Sequence, residues 1–134
     1  MEESKQHAGR LTNGYSIEMA VEVLDQQLKH IPNVKIWAVF MGYSRSYFSS
    51  KIKEQFGKTP TELLRDIRIK HIYNQILTHP NETSYGVARL VGLENDDALY
   101  KFLSYHFNTN FTELRRSLLN GRQMKDREQS GLKN

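Results

Sequence analysis

No cysteine occurs among the 134 residues, which excludes a disulfide framework, a cysteine-based zinc site and thiol catalysis. Any core must therefore hold by packing. Proline is scarce, and Pro32, Pro60 and Pro80 each lie between apolar stretches, where proline ends or starts a helix. No run approaches the roughly 18 continuous apolar residues of a membrane span. The polar start Met1-Glu2-Glu3-Ser4-Lys5 lacks the apolar centre of a signal peptide. The expectation is a soluble cytoplasmic protein with no membrane partner. No segment sustains strand-like alternation, so the chain reads as all-α. There is no glycine-rich phosphate loop, and His7, His30, His71, His79 and His106 do not pair at the spacing a metal-binding helix needs. Asp96 and Asp97, being adjacent on a helix, point in different directions without a third ligand nearby, so no metal, cofactor or catalytic site is expected.

What is present is modestly basic, with 19 Lys and Arg against 15 Asp and Glu and a formal charge of +4. That balance favours an anionic partner without separating nucleic acid from an acidic protein or a membrane surface. The length suits one domain, or two small helical subdomains sharing a linker helix.

The ends, residues 1–15 and 120–134, are polar and contain glycine, and are expected to be tails that bury too little apolar surface to order themselves. Residues 16–119 have a helical period throughout. A first helix starts at Ser16, a candidate cap, carries Ile17, Val21, Leu24, Leu28 and Ile31 on one face, and stops near Pro32. Asn33 can cap a second helix, residues 34–41, with Trp37 and Ala38 inward and Gly42 after it. A third runs from about Arg45 to Phe56 with Phe48, Ile52 and Phe56 inward. Thr59-Pro60-Thr61-Glu62 is a capping box with proline at the first helical position, opening a fourth helix that reaches Thr78. A fifth runs from about Thr83 to Val91 and a sixth from about Asp96 to Phe107. A seventh starts at Asn110, with Glu113 placed for another capping box.

Self-comparison shows an internal repeat. Ala38-x-x-x-Gly42 recurs as Ala88-x-x-x-Gly92, and Phe56-x-x-x-x-Thr61-Glu62-Leu63 recurs as Phe107-x-x-x-x-Thr112-Glu113-Leu114, with one added residue between the two matches. Each copy is a short helix with a small inward residue, a glycine turn, a helix of about three turns, a polar break and a capped helix start. The alanine lets two helices approach closely and the glycine permits the sharp turn between them, as a helix-turn-helix requires. The predicted fold is therefore two helix-turn-helix subdomains, at about 33–57 and 83–108, joined by a long linker helix at about 60–78.

The run Ala38-Val39-Phe40-Met41-Gly42-Tyr43-Ser44-Arg45-Ser46-Tyr47-Phe48-Ser49-Ser50-Lys51-Ile52-Lys53-Glu54-Gln55-Phe56-Gly57-Lys58-Thr59-Pro60 resembles the first helix-turn-helix of AraC-type transcription regulators. The resemblance continues through Arg68-Ile69 to Val91-Gly92-Leu93-Glu94-Asn95 and Phe107-Asn108, and covers roughly Ser16 to Leu118. It implies seven helices in two units, with a reading helix from each in successive major grooves on one face of double-stranded DNA. It also implies transcription regulation without a cofactor, with RNA polymerase or a sensing domain on a longer chain as further partners.

Burying Phe48, Ile52 and Phe56 leaves Ser46, Ser49, Ser50 and Lys53 together on the opposite face of the third helix. Serine can bond base edges or phosphate, and Lys53, Arg45 and Lys51 offer cations to the backbone, although the same residues would also suit a merely solvated face. The resemblance implies base-facing roles for Ser46, Ser49 and Ser50, a phosphate approach for the Tyr47 hydroxyl and a structural role for Arg68. Packing explains Tyr47 as well. In the second unit the equivalent face is Asp96, Asp97, Tyr100, Lys101 and Ser104. Its carboxylates can accept from cytosine amino groups, repel phosphate, or simply gain from the helix macrodipole. Asn108 and Phe111 stand where the family usually has glycine and proline. Phe102 and Tyr105, expected to be exposed, combine with the acidic helix to support an alternative: a helical protein-interaction module that has lost DNA binding.

Overall fold

Seven helices follow one another in the computed structural model, which describes residues 14–121, and no strand occurs among the described residues. Helix α1 is Ala20–Gln27, flanked by single 3-10 turns at Ile17–Met19 and Leu28–His30. It is followed by α2 (Val34–Met41), α3 (Arg45–Phe56), α4 (Pro60–Thr78), α5 (Ser84–Leu90), α6 (Asp96–Phe107) and α7 (residues 111–121). The chain divides into two compact units, Met1–Ile69 and Lys70–Asn134, with the division inside α4.

In the first unit the helix ends follow local chemistry. Asn33 Oδ1 accepts from the Ile36 N–H at 2.9 Å, and Ser44 Oγ accepts from the Tyr47 N–H at 3.3 Å. Thr59 and Glu62 form the reciprocal capping box, with the Thr59 N–H donating to Glu62 at 2.9 Å and the Glu62 N–H donating to Thr59 Oγ1 at 3.2 Å. The bond from the Thr59 N–H holds the Glu62 carboxyl below the usual carboxylate range, against the opposing effect of desolvation. The cap is therefore complete at neutral pH and is lost as pH falls through that lowered value.

The first helix departs from expectation. Ser16 stands at its start but makes no side-chain capping bond, and the opening turn is 3-10. The fully buried residues are Ala20, Val23, Leu24, Leu28 and Ile31, whereas Ile17 and Val21 are half-buried. A 3-10 turn winds with three residues per turn, so it rotates the apolar stripe away from the register that a continuous α-helix would keep. Tyr15, expected in the tail, is tied down: its N–H donates to the Met41 carbonyl at 3.2 Å, and its carbonyl accepts from the Tyr43 hydroxyl at 2.8 Å. The remainder of the expected N-terminal tail, residues 1–13, lies outside the described residues, as do residues 122–134 of the C-terminal one. Residues 120 and 121, also expected in a tail, end α7.

Trp37 is the centre of this unit. It is fully buried, its ring meets Phe48 edge-on at 5.0 Å, and its indole N–H donates to the Ala20 carbonyl at 3.2 Å. Arg68 is the one buried charge among the described residues, at 5% exposure. Its guanidinium donates to the carbonyls of Ile31 at 3.1 Å and Pro32 at 3.2 Å, satisfying the chain where it leaves the first helix. Burial pulls its pKa down to about 10, so it is still charged at neutral pH. The structural role expected of Arg68 is what this geometry gives. Replacing Arg68 by methionine keeps most of the stem but removes the donors, and should cost about 1–3 kcal/mol of stability by stranding buried carbonyls. A urea titration reads this as a lower midpoint at unchanged slope; no shift would mean that those carbonyls are satisfied without the guanidinium.

The second unit repeats the turn. The Tyr43 N–H donates to the Ala38 carbonyl at 2.9 Å, and the Leu93 N–H donates to the Ala88 carbonyl at 2.8 Å, closing the same wide loop around glycine. Gly42 and Gly92 have φ of 89° and 86°, a left-handed conformation that a side chain would strain. The added residue of the second copy lies after this turn, since Gly42 is two residues from the cap Ser44 while Gly92 is three from the cap Asn95. Thr83 caps α5 by accepting from the Gly86 N–H at 2.9 Å. The core comprises Ile72, Ile76, Val87, Ala88, Val91, Leu99, Phe102 and Leu103. Asn108, where the resemblance implies glycine, adopts φ 53° and still closes α6, because asparagine tolerates the left-handed region better than most residues. Asn110 caps α7 through the Glu113 N–H at 2.9 Å.

Candidate nucleic-acid interface

Phe48 and Ile52, both fully buried, fix the rotation of α3 about its own axis. That rotation leaves Arg45, Ser46, Ser50 and Lys53 exposed, with Ser49 half-buried beside them. Ser46, Ser49, Ser50 and Lys53 share one face, as their spacing predicts, while Arg45 is exposed because it stands at the helix start. Tyr47 is half-buried, and its ring stacks on that of Tyr43 at 5.4 Å. The stack is the contact that the packing reading of Tyr47 expects, and the Tyr47 N–H on the cap Ser44 keeps the ring near the start of α3.

Lys51, Lys53, Lys58 and Arg65, beside α3, already have partners of the exposed, exchangeable kind. Lys51 meets Glu54 at 3.4 Å and lies 5.6 Å from the centre of the Tyr47 ring. Lys53 donates to the Gly57 carbonyl at 3.3 Å, completing the C-terminal end of α3. Lys58 and Arg65 both reach Asp66, each at 3.0 Å. Partial burial pushes the Asp66 carboxyl up, but the bonds from Lys58 and Arg65 outweigh it and hold the group below its ordinary range.

In the second unit Asn95 caps α6 by accepting from the Ala98 N–H at 2.9 Å. Burial of Leu99, Phe102 and Leu103 turns Asp96, Asp97, Tyr100, Lys101 and Ser104 to solvent. From the two caps onward, Arg45 and Asp96 share a position, as do Ser46 and Asp97, Ser49 and Tyr100, Ser50 and Lys101, and Lys53 and Ser104. The first position therefore changes sign between the units. Asp97 and Lys101 form an ion pair at 3.2 Å along the helix.

Phe102 corrects an expectation: it is 8% exposed, against the rings of His106 and Phe107 at 5.0 and 5.8 Å. Of the two aromatics expected to form a contact patch, only Tyr105, at 84%, is exposed. The warrant for a protein-interaction module weakens accordingly.

The structure also brings together what sequence spacing did not. A cleft of about 690 Å³ lies beside the start of α6, lined by Asp96, Asp97 and Tyr100 on one side and by Asn110, Phe111, Thr112, Glu113 and Arg116 on the other. The starts of three helices line it, Ser84 of α5 among them, and the partial positive charge of α6 and α7 offsets the three carboxylates. Arg116 carried no sequence signal beyond its charge, because its nearness to Asp96 depends on how α7 packs. Arg115, one residue earlier, is turned the other way, onto the carbonyls of Pro80 and Glu82.

A family model described as a helix-turn-helix domain matches residues 37–117. No curated protein sequence matches the chain. Solved structures share the fold, three of them as follows. The DNA-binding domain of AdpA, a global transcriptional factor in complex with a target DNA, is 18% identical with a TM-score of 0.65, covering 80% of this chain and 96% of that one. The C-terminal domain of AraT, a response regulator from Geobacillus stearothermophilus, is 18% identical with a TM-score of 0.65, covering 79% and 88%. A DNA-binding transcriptional dual regulator from Escherichia coli K-12 is 16% identical with a TM-score of 0.61, covering 81% and 97%.

Proposed function

This chain belongs to the AraC-type family of helix-turn-helix DNA-binding domains, and from that premise we propose that it regulates transcription by sequence-specific binding to double-stranded DNA. The observation that carries the reading is the repeated unit, in which a left-handed glycine turn and an asparagine or serine cap orient a three-turn helix whose polar face is left to solvent. Helices α3 and α6 are the reading helices, entering successive major grooves. Ser46, Ser49 and Ser50 meet base edges, and Arg45 and Lys53 neutralise phosphate, with Lys51 and Lys58 beside them. The Tyr47 hydroxyl lies at the groove edge. In the second unit Asp96, Asp97, Tyr100 and Lys101 face the duplex, and the acidic start makes this half the weaker anchor. The protein works in the cytoplasm, with RNA polymerase or a sensing domain on a longer chain as further partners.

Selection from a random duplex pool tests this. The enriched sites should contain two half-elements about one helical turn apart, and changing that spacing by about half a turn should abolish joint protection in a footprint. A single protected half-element, indifferent to the spacing of any second, would remove the two-groove arrangement.

A further inference from the structure

We propose that the Asp97–Lys101 ion pair on α6 reads one G·C base pair, with Asp97 accepting from the cytosine N4 amino group and Lys101 donating to guanine O6 and N7. The proposal rests on the reading of α6 as a recognition helix.

The pair has a register, a spacing and a surrounding charge that together point to base edges. In register, Asp97 and Lys101 stand where the first unit has Ser46 and Ser50, so both project from the face that the buried Leu99 and Leu103 turn outward. In spacing, the carboxylate and ammonium lie 3.2 Å apart, with the side chains 69% and 75% exposed. On the major-groove edge of a G·C pair, the guanine O6 acceptor and the cytosine N4 donor are also about 3 Å apart, the length of the hydrogen bond joining them. An acceptor and a donor held at that separation complement those two atoms in one approach. The adjoining guanine N7 gives the ammonium a second acceptor, whereas next to thymine O4 it would meet a methyl group.

The charge argument concerns phosphate. A carboxylate in the first turn of a reading helix repels the backbone, and an amino donor in the groove helps compensate its desolvation. Lys101 offsets the Asp97 charge locally, a pairing that strengthens once the groove excludes water, so the two act as one recognition element. The same pair would also support the helix by an i,i+4 contact, an effect indifferent to base sequence.

The test uses the full chain, duplexes carrying the selected site, and all four base pairs substituted at each position of the second half-element. Asp97→Asn and Lys101→Met are each compared with the unaltered protein, after melting curves show that these exposed changes leave the fold intact. The expected result is a wild-type preference for G·C at one position, lowered by about 10- to 100-fold in either variant with other positions unchanged. The double variant should lose no more than either single one, since the pair reads as a unit. Variants that change overall affinity or salt dependence but leave every base preference intact would overturn the proposal while leaving DNA binding standing. So would a wild-type preference for A·T at the affected position. A wild-type protein that binds no duplex would overturn both this proposal and the reading beneath it.

Discussion

Replacing Trp37 by alanine should destabilise the first unit by about 3–5 kcal/mol, the range for removing a large aromatic from a packed core. Three losses act together. The cavity left by the indole is walled by buried residues that relax only in part, the edge contact with Phe48 disappears, and the Ala20 carbonyl loses its donor. Phe48 also sets the rotation of α3, so the loss reaches the reading face directly. With folding free energies of about 5–15 kcal/mol, such a change consumes much of the stability available. Far-UV circular dichroism against temperature should show a lower or broadened transition, and duplex binding should fall with the folded fraction. A midpoint within a degree or two of the unaltered protein would mean that Trp37 is not the keystone its burial indicates.

Duplex affinity should fall by about two orders of magnitude when salt is raised from about 50 to 200 mM, if Arg45, Lys51, Lys53 and Lys58 each neutralise one phosphate. Each contact adds about 0.9 to the slope of log affinity against log salt, so four contacts give a slope of about −3.6. Their present partners do not prevent this. The Lys51–Glu54 and Lys58–Asp66 pairs are solvent-exposed, and pairs of that kind contribute about 0–1 kcal/mol, which a phosphate readily replaces. Lys53→Ala should lower the slope by roughly one contact's worth for every duplex tested, a signature of backbone rather than base contact. Affinity unchanged across that salt range would sink the electrostatic account of the first unit.

Within the chain, the features legible in the sequence are those whose cause lies within four or five residues. Asn33, Thr59 and Asn110 cap helices as expected, because a side-chain oxygen reaches an N–H three positions on, and Ser44, Thr83 and Asn95 obey the same relation without having been expected to, while Ser16, expected to cap, makes no such bond. The glycine turns, the repeat, the bounds of α2, α3 and α6, and the outward faces of α3 and α6 have the same local origin, periodicity acting on apolar residues.

What tertiary structure decided involves partners far along the chain. Arg68 meets carbonyls 36 and 37 residues away, and nothing near it in sequence names them. Phe102 reads as exposed from spacing but is covered by rings on its own helix and by the unit's core, since burial depends on what surrounds a residue. The 3-10 turns at both ends of the first helix move its buried face to Ala20 and Val23, a local distortion selected by what the helix packs against. Arg116 comes to line a cleft with Asp96 and Asp97 only because α7 packs beside the start of α6. Sequence thus determined helices α3 and α6 and their polar faces, through short-range hydrogen bonds and periodicity. Tertiary structure decided which charges share a site, because bringing distant groups together is what packing, and no local rule, accomplishes.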